Sequence, residues 1–219
     1  MNKITFTDGR TFTPSKIICV GRNYSAHIKE MESERTEEPV LFLKPNSSLC
    51  DITRPIPLLQ NRGAVHHEIE LALCISRTGS KIQAGDADSF IAGYGLALDL
   101  TLRDIQTKAK KAGLPWAVAK GFDCACPISS FVPKDNVSDV TNLELSLKIN
   151  NKQRQHGSTA QMLFSIQEIV SFASMFYTLL EGDIILTGTP SGVGPLEPGD
   201  KIEASISHIA EINTICKAG

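Results

Sequence analysis

The sequence predicts a single domain of the α+β class, in which short strands outnumber helices. The chain has 219 residues, of which 42% are hydrophobic and 21% charged, as is ordinary for one soluble domain. Most apolar segments are short runs or alternate with polar residues, which is typical of strands. These segments do not alternate regularly with helical patterns, and this argues against a doubly wound parallel sheet.

The composition narrows the range of partners and compartments. The net charge is −2, from 22 Lys and Arg against 24 Asp and Glu, so we expect no surface for nucleic acid. No apolar run approaches the roughly 18 residues of a membrane span. The N-terminus lacks the apolar core of a secretory signal, and the six cysteines are too scattered for a disulfide framework. We therefore expect a cytoplasmic protein with no membrane partner.

The first elements are predicted to be a hairpin, a strand and a short helix. Asp8-Gly9 is a strong turn signal between two short segments, and it predicts an N-terminal hairpin over residues 1–15. Residues 16–219 form the rest of the single domain, beginning with a strand over Lys16–Val20. A short helix is expected between Gly21 and Met31. The residues that follow are almost wholly polar, so we expect a mobile lid at about residues 25–38.

Three apolar segments in the middle of the chain predict strands, and the segment after them predicts a helix. The strands are Val40–Leu43, Ala64–Ile75 and Ile91–Leu100. Thr101 and Asp104 have the spacing of a capping box. They predict a helix over residues 101–112 that ends at Gly113.

The last third of the chain predicts three strands and one helix. Residues 143–149 alternate strictly between apolar and polar side chains, and the turn signal Asn150-Asn151 follows them. Ser165 and Glu168 predict a capped helix with an apolar stripe, which comprises Ile166, Ile169, Val170, Ala173 and Phe176. Shorter strands are predicted at Ile184–Leu186 and, as the last strand of the chain, at Lys201–Ile206.

Three acidic residues lie at the ends of apolar segments, where burial is expected. Glu68 and Glu70 would share one face of a strand, roughly 6.6 Å apart. Such a pair usually lies on a solvated face, but Ala72 and Cys74 continue this face and indicate burial. Asp99 ends the next apolar strand, where it could instead cap the following helix. Buried carboxylates repel each other unless a cation compensates, so together they predict a site for Mg²⁺, Mn²⁺ or Ca²⁺.

Several basic and polar residues are candidates for catalysis beside this site. His27 and Glu30 are three residues apart, so on a helix the carboxylate would orient the imidazole as a general base; such pairs also occur as ordinary surface residues. Arg103 and Gln106 share a helix face that starts beside Asp99 and could grip a carboxylate. Lys120 lies in an apolar run, where it either reaches solvent or stabilises an enolate. The nearby Lys108, Lys110 and Lys111 are expected to be surface residues.

A glycine-rich loop at Thr187–Gly194 follows a predicted strand. Its backbone N–H groups could hold a carboxylate. The loop lacks the Gly-Lys-Ser/Thr sequence of a phosphate loop and the glycine spacing of a dinucleotide site. We therefore predict no nucleotide cofactor.

Several separated motifs occur in a fixed order along the chain: His66-x-Glu68-x-Glu70, Asp99-x-x-x-Arg103-Asp104-x-Gln106, Lys120 and Thr187-Gly188-Thr189-Pro190. In this combination the chain resembles the fumarylacetoacetate hydrolase family. Two further segments are similar to the short members of that family: Val20-Gly21-Arg22-Asn23-Tyr24 and Phe42-Leu43-Lys44-Pro45. The resemblance extends from about residue 16 to residue 206.

The resemblance implies a mixed β-sandwich roll that forms a homodimer with one divalent metal ion per subunit. It implies Glu68, Glu70 and Asp99 as the metal ligands. It also implies His27 and Glu30 as a dyad in the lid that activates water, with Lys120 close to the bound substrate. Contacts to the substrate's oxygens are implied for five residues, which are Arg22, Arg103, Gln106, Gly188 and Thr189.

The leading functional hypothesis is the metal-dependent hydrolysis of acylpyruvates through a pyruvate enolate. The same site could instead tautomerise or decarboxylate oxaloacetate, or isomerise an unsaturated dicarboxylic oxo acid, because all these reactions pass through an enolate. A hypothesis of another class is a non-catalytic, metal-dependent binder of 2-oxo acids. A small 2-oxo acid is the expected ligand in every case.

Overall fold

A computed structural model describes residues 2–31 and 35–219. Within them the strands are β1 (Ile4–Thr5), β2 (Thr11–Phe12), β3 (Ile17–Gly21), β4 (Val40–Lys44), β5 (Leu49–Asp51), β6 (Ile56–Leu58), β7 (Val65–His67), β8 (Ile69–Ile75), β9 (Ile91–Leu98), β10 (Thr101–Leu102), β11 (Cys126–Ile128), β12 (Val132–Pro133), β13 (Glu144–Ile149), β14 (Lys152–Ser158), β15 (Ile184–Leu186), β16 (Gly194–Leu196), β17 (Lys201–Ile206) and β18 (Ala210–Ala218). The α-helices are α1 (Ser25–Glu30), α2 (Arg103–Ala112), α3 (Ala117–Lys120) and α4 (Ile166–Phe176). The α+β class is confirmed.

Two mixed sheets form the body of the domain. The larger has eight strands in the order β4-β3-β15-β8-β9-β11-β5, with β12 paired to β9. The smaller has five strands in the order β14-β13-β17-β18-β6. A three-stranded sheet, β10-β7-β16, links them, and the N-terminal hairpin β1-β2 pairs antiparallel as the Asp8-Gly9 turn predicts.

The core lies on both faces of the larger sheet. Leu71 and Leu73 of β8 share one cluster with Leu145 of β13 and Ile169 of α4. Ala72, on the other face of β8, belongs to a second cluster. Burial on both faces explains why this strand reads as a continuous apolar run, since each buried Leu or Ile contributes about 1.5–3 kcal/mol.

The segment predicted as one strand over Ala64–Ile75 is divided at Glu68 into β7 and β8, which belong to different sheets. The neighbouring segment divides in the same place. Ile69 of β8 pairs with Leu98 of β9 in the eight-stranded sheet. His66 of β7 pairs with Thr101 of β10 in the three-stranded sheet. Two adjacent segments of the chain therefore pass between the eight-stranded and the three-stranded sheet at the same level, and this places Glu68 beside Asp99.

The predicted capping box at Thr101 is wrong. Residues 101–102 form β10, α2 begins at Arg103, and its N-cap residue Leu102 makes no side-chain cap. The Thr101 hydroxyl lies 3.3 Å from Glu68 Oε1 and 3.2 Å from the Asp99 carbonyl, so pairing with β7 takes precedence over the local cap. The predicted end of the helix is confirmed, because Gly113 takes a left-handed conformation with φ 65°.

Two predictions for the last third of the chain are also corrected. The capping box at Ser165 and Glu168 is present, but Phe176 is 65% exposed, because the buried stripe of α4 passes to Tyr177 beyond the helix end. Lys201–Ile206 is not the last strand. β18 follows it and pairs with both β17 and β6, although most of its side chains are exposed or half-buried and give little apolar signal.

Part of the predicted lid, residues 32–34, lies outside the described residues. The predicted helix before it is present as α1. In the described part of the chain, no helix has the length and apolar character needed to cross a membrane.

Candidate active site

Three carboxylates meet where the chain passes between the eight-stranded and the three-stranded sheet. Glu68, Glu70 and Asp99 are all buried, and one oxygen of each lies within 4.8 Å of the others. The backbone fixes this arrangement, because the N–H of Asp99 donates to the carbonyl of Glu68 at 2.8 Å. The structure therefore brings together the three acids that the sequence grouped as a cation site.

Three cations face the carboxylates in the structure. Lys120 Nζ lies 2.9 Å from Glu68 Oε2 and 2.6 Å from Asp99 Oδ2. Arg103 pairs with Glu68 Oε1, and Lys44 Nζ lies 2.8 Å from Asp99 Oδ1. Burial of like charges is costly without partners, and these ion pairs explain how the protein tolerates the cluster before any ion binds.

The surroundings give the acids different pKa values. Burial tends to raise the pKa of Glu68, but Lys120 and Arg103 outweigh it and hold the pKa well below the usual range. For Glu70, burial and the charges of Asp99 and Glu68 raise the pKa well above its usual value. Burial alone would lower the pKa of Lys120, yet Asp99 and Glu68 raise it to about 12. Lys120 therefore carries its proton at neutral pH.

The donor set fits a divalent metal ion. Asp99 Oδ1 is buried and accepts no hydrogen bond, because Lys44 Nζ lies near it but outside hydrogen-bonding geometry. Glu70 Oε2 accepts from the Gly188 N–H at 2.6 Å, which orients this carboxylate. Hard carboxylate oxygens are the ligands that Mg²⁺ and Mn²⁺ prefer, with water or substrate in the remaining positions.

His27 and Glu30 lie on α1 above the carboxylates. His27 Nδ1 is 3.3 Å from Glu30 Oε2, and the imidazole lines the cavity that opens over the acids. Glu30 does not line the cavity. Its oxygens accept from the Gly192 N–H at 2.9 and 3.1 Å, which ties α1 to the glycine-rich loop. With Glu30 accepting from Nδ1–H, the imidazole Nε2 is left as a proton acceptor.

Helix α2 supplies one wall of the cavity. Arg103 Nη1 donates to Gln106 Oε1 at 2.7 Å, and both residues line the cavity, as their shared helix face predicts. Lys110, one further turn along, is exposed, as expected of a surface residue, and it also lines the cavity. Arg22 also lines the cavity and has a left-handed backbone, φ 62°.

The glycine-rich loop does hold carboxylates, but they are the protein's own. Gly188 binds Glu70 and does not line the cavity, and Gly192 binds Glu30. Thr189 lines the cavity, while its hydroxyl donates to the carbonyl of Ile69 and accepts from Gln155 Nε2. A direct contact between the Gly188 N–H and a substrate is therefore not available in this arrangement.

Three residues of the site are not predicted from the sequence: Lys44 beside Asp99, and two aromatic residues of the cavity wall, Phe42 and Trp116. The side chain of Lys44 is fully buried beside Asp99. A signal was present, because Lys44 ends an apolar strand as Lys120 ends an apolar run, and both lysines reach the same carboxylate. Pairing such isolated lysines with the nearest buried acid would have found it.

The chain matches known proteins over nearly all its length. The model of the fumarylacetoacetate (FAA) hydrolase C-terminal family matches residues 16–216. Oxaloacetate tautomerase YcgM of Escherichia coli is 51% identical over 189 residues, covering 86% of each chain. The human mitochondrial oxaloacetate tautomerase FAHD1 is 47% identical and covers 90% of this chain and 89% of its own.

Solved structures agree with this match. Fumarylpyruvate hydrolase from Pseudomonas aeruginosa, in complex with Mn²⁺ and pyruvate, has a TM-score of 0.94 at 32% identity, covering 100% of this chain and 96% of its own. The 2-hydroxyhepta-2,4-diene-1,7-dioate isomerase from Mycobacterium marinum has a TM-score of 0.82 at 35% identity, covering 96% and 81%. By its sequence, fold and buried acidic cluster, this chain belongs to the fumarylacetoacetate hydrolase family.

Proposed function

We propose that this protein is a divalent-metal-dependent oxaloacetate tautomerase, which interconverts the keto and enol forms of its substrate. The observation that carries the proposal is the buried cluster of three carboxylates, two of which pair with Lys120, since such a cluster suits a 2-oxo acid and its enolate. The tautomerase activity of relatives near 50% identity supports this choice among the reactions that pass through an enolate.

In this proposal Glu68, Glu70 and Asp99 hold the metal ion. A bound Mg²⁺ or Mn²⁺ would supply a Lewis acid at the 2-oxo group of the substrate. Arg103 and Gln106 orient the substrate's carboxylate from α2, and Arg22 contacts its remaining oxygens. Thr189, whose hydroxyl proton is donated to the Ile69 carbonyl, shapes the cavity wall. Gly188 acts indirectly, through its hydrogen bond to Glu70.

The proton transfers are assigned to His27 and Lys120. His27 Nε2 removes a proton from C3 of keto-oxaloacetate, and Glu30 stabilises the imidazolium that results. The electron pair of the broken C–H bond forms the C2–C3 double bond, the π pair of the 2-oxo group moves onto its oxygen, and this oxygen takes a proton from the ammonium of Lys120. Proton exchange with solvent then returns His27 to the imidazole and Lys120 to the ammonium. The reverse sequence converts the enol to the ketone, and no water enters the reaction.

A second candidate is hydrolysis of acylpyruvates, the leading hypothesis from the sequence alone. The 32% identical fumarylpyruvate hydrolase, which holds Mn²⁺ and pyruvate, supports it. Here His27 and Glu30 would activate a water that attacks the acyl carbonyl, and the pyruvate enolate would leave. Both candidates use the same carboxylates and differ in what His27 deprotonates.

Ultraviolet absorbance of enol-oxaloacetate and of acetylpyruvate distinguishes the two candidates. Each substrate is followed with Mg²⁺ and with excess EDTA, and pyruvate is assayed in the same samples. Metal-dependent decay of enol-oxaloacetate without pyruvate, with inert acetylpyruvate, supports the tautomerase. Metal-dependent loss of acetylpyruvate with stoichiometric pyruvate supports the hydrolase. Saturable oxalate binding without turnover of either substrate would leave a non-catalytic binder.

The protein variant Lys16→Met provides a matched control for these assays. Lys16 pairs with the buried Asp183 at the far end of β3, away from the cavity. Its activity should equal that of the wild type, whereas Glu70→Gln should be inactive.

The proposal also covers the identity of the metal ion, the oligomeric state and the cellular compartment of the protein. We expect Mg²⁺ or Mn²⁺ as the working ion and a homodimer in the cytoplasm. Activity after reconstitution with each metal tests the first expectation, and sedimentation equilibrium tests the second.

A further inference from the structure

Two buried lysines share one carboxylate below the cavity. Lys44 Nζ lies 2.8 Å from Asp99 Oδ1, and Lys120 Nζ lies 2.6 Å from Asp99 Oδ2. Each oxygen of Asp99 therefore has its own ammonium neighbour. A divalent ion that binds Asp99 would be repelled by both of these ammonium groups. The surroundings of the two lysines differ.

Lys44 is enclosed by the protein. Its side chain is fully buried and does not line the cavity. Its ammonium donates to the carbonyl of Leu100 at 3.2 Å and to the carbonyl of Lys120. Moving this ammonium would leave two buried carbonyls without a donor, which is unfavourable. Lys44 is therefore fixed beside Asp99.

Lys120 borders the cavity instead. The hydrogen bonds of its ammonium described in the structure go to Glu68 and Asp99, the proposed metal ligands. The ring of Phe42 also lines the cavity, and its centre lies 4.9 Å from Lys120 Nζ. Because an aromatic face attracts an ammonium group, Lys120 has an alternative position within reach that leaves no backbone carbonyl unpaired.

The two carboxylates that hold Lys120 are also two of the three proposed metal ligands. Mg²⁺ lies about 2.1 Å from carboxylate oxygens, and Lys120 Nζ lies 2.9 and 2.6 Å from Glu68 Oε2 and Asp99 Oδ2. Two cations on the same pair of buried carboxylates would repel each other strongly. We propose that Lys44 is a permanent counter-ion and positioning residue for Asp99, whereas Lys120 is an exchangeable one whose ammonium leaves the carboxylates when the metal ion binds.

This inference deepens the proposed function and depends on its metal site. It also explains how one lysine can serve two purposes. Without the ion, Lys120 neutralises the acids and keeps the site folded. With the ion bound, the same ammonium is free to face the substrate, as the proposed proton transfer requires.

Calorimetric titration with Mn²⁺ tests the exchange in three variants. Lys120→Met removes the competing charge and should tighten Mn²⁺ binding about tenfold. Lys44→Met removes both a repelling charge and the support of Asp99, so its Mn²⁺ affinity should be equal to the wild type's or weaker. Lys16→Met, which also breaks a Lys–Asp pair but far from the cavity, should leave the affinity unchanged.

The outcomes separate the inference from the function on which it depends. Wild-type protein that binds no Mn²⁺ would overturn the metal site and the exchange together. Normal binding by the wild type, combined with equal tightening in both lysine variants, would overturn the exchange alone. Unchanged or weaker binding by Lys120→Met would do the same.

A second measurement does not depend on the folding of Lys44→Met. Buried ammonium groups that exchange slowly with water give ¹⁵N–¹H signals, and the Lys120 signal is assigned by its loss in Lys120→Met. Adding Mg²⁺ should shift or broaden the Lys120 signal strongly and leave the Lys44 signal in place. Two unchanged signals in Mg²⁺-loaded protein, or loss of the Lys44 signal, would contradict the exchange.

Discussion

The cavity has a floor and a rim that are built in different ways. The floor comprises Glu68, Glu70, Asp99 and Lys120, which are all buried, and ion pairs join Lys120 to Glu68 and Asp99. The rim is α1 with His27 and Glu30, and its described link to the glycine-rich loop is the Gly192–Glu30 hydrogen bond. A rigid floor suits the enolate chemistry shared by all candidate reactions, whereas the rim decides which proton or water takes part.

Removing a floor carboxylate should have the largest effect. In Glu70→Gln the Gly188 N–H can still donate to the amide oxygen, so the fold is kept while one negative ligand is lost. We expect a loss on the order of 10³-fold or more in kcat/KM for every substrate, because the Lewis acid is lost. Activity of this variant near the wild-type value, at the same Mg²⁺ concentration, would rule out Glu70 as a ligand.

Replacing His27 of the rim should lower two of the three reaction rates much more than the third. His27→Gln should lower tautomerisation and hydrolysis about 10²- to 10⁴-fold, since both need the imidazole as a base. Decarboxylation of oxaloacetate needs no such base and should fall much less. Steady-state assays of the three reactions on one preparation provide the comparison, and equal losses in all three would remove the distinction between rim and floor.

Replacing Glu30, which orients His27, should have a smaller effect than replacing His27 itself. Glu30→Gln keeps an oxygen that accepts from the Gly192 N–H but loses the charge beside His27. We expect kcat to fall about tenfold, as is usual when a residue that orients another is lost, while Mn²⁺ affinity stays unchanged. The exposed Glu37→Gln is the control. A change in Mn²⁺ affinity in Glu30→Gln would show that floor and rim are not separate.

The smallest expected effect concerns stability in acid. Burial and the charge of Arg103 lower the pKa of His66, on β7 beside the floor, to about 4. Between pH 6.5 and 4 the unfolded chain therefore binds a proton at His66 that the folded protein does not, so the free energy of unfolding falls as the pH falls. His66→Asn should reduce this slope in urea unfolding series. An identical slope in the variant would assign the acid sensitivity to other groups.

Much of the floor could be predicted from the sequence because its signals are local. Two glutamates with a spacing of two residues, followed by apolar residues on the same face, indicate buried acids. A lysine in an apolar run indicates a buried cation. The capped start of α4 and the glycine that ends α2 are equally local, and both are present.

The remaining features depend on contacts between distant segments. The division at Glu68 comes from pairing with β10 and β16, which no local pattern encodes. Thr101 has a good capping sequence but is drawn into β10 by His66. The polar strand β18 is stabilised by neighbours on both sides, and Lys44 acquires its role only when β4 is placed beside Asp99.

The glycine-rich loop has a consequence for how this protein can vary. Gly188 holds a floor carboxylate and Gly192 holds a rim carboxylate, so the chain between them sets the distance from the cation site to the proton acceptor. Gly192 has φ +100°, and a Cβ there would lie 1.8 Å from the carbonyl oxygen of Arg154. The loop backbone therefore packs directly against the backbone at Arg154. An insertion or deletion of one residue between the two glycines would alter both ends at once. The length of this short segment, as well as its residue types, is thus constrained by the chemistry.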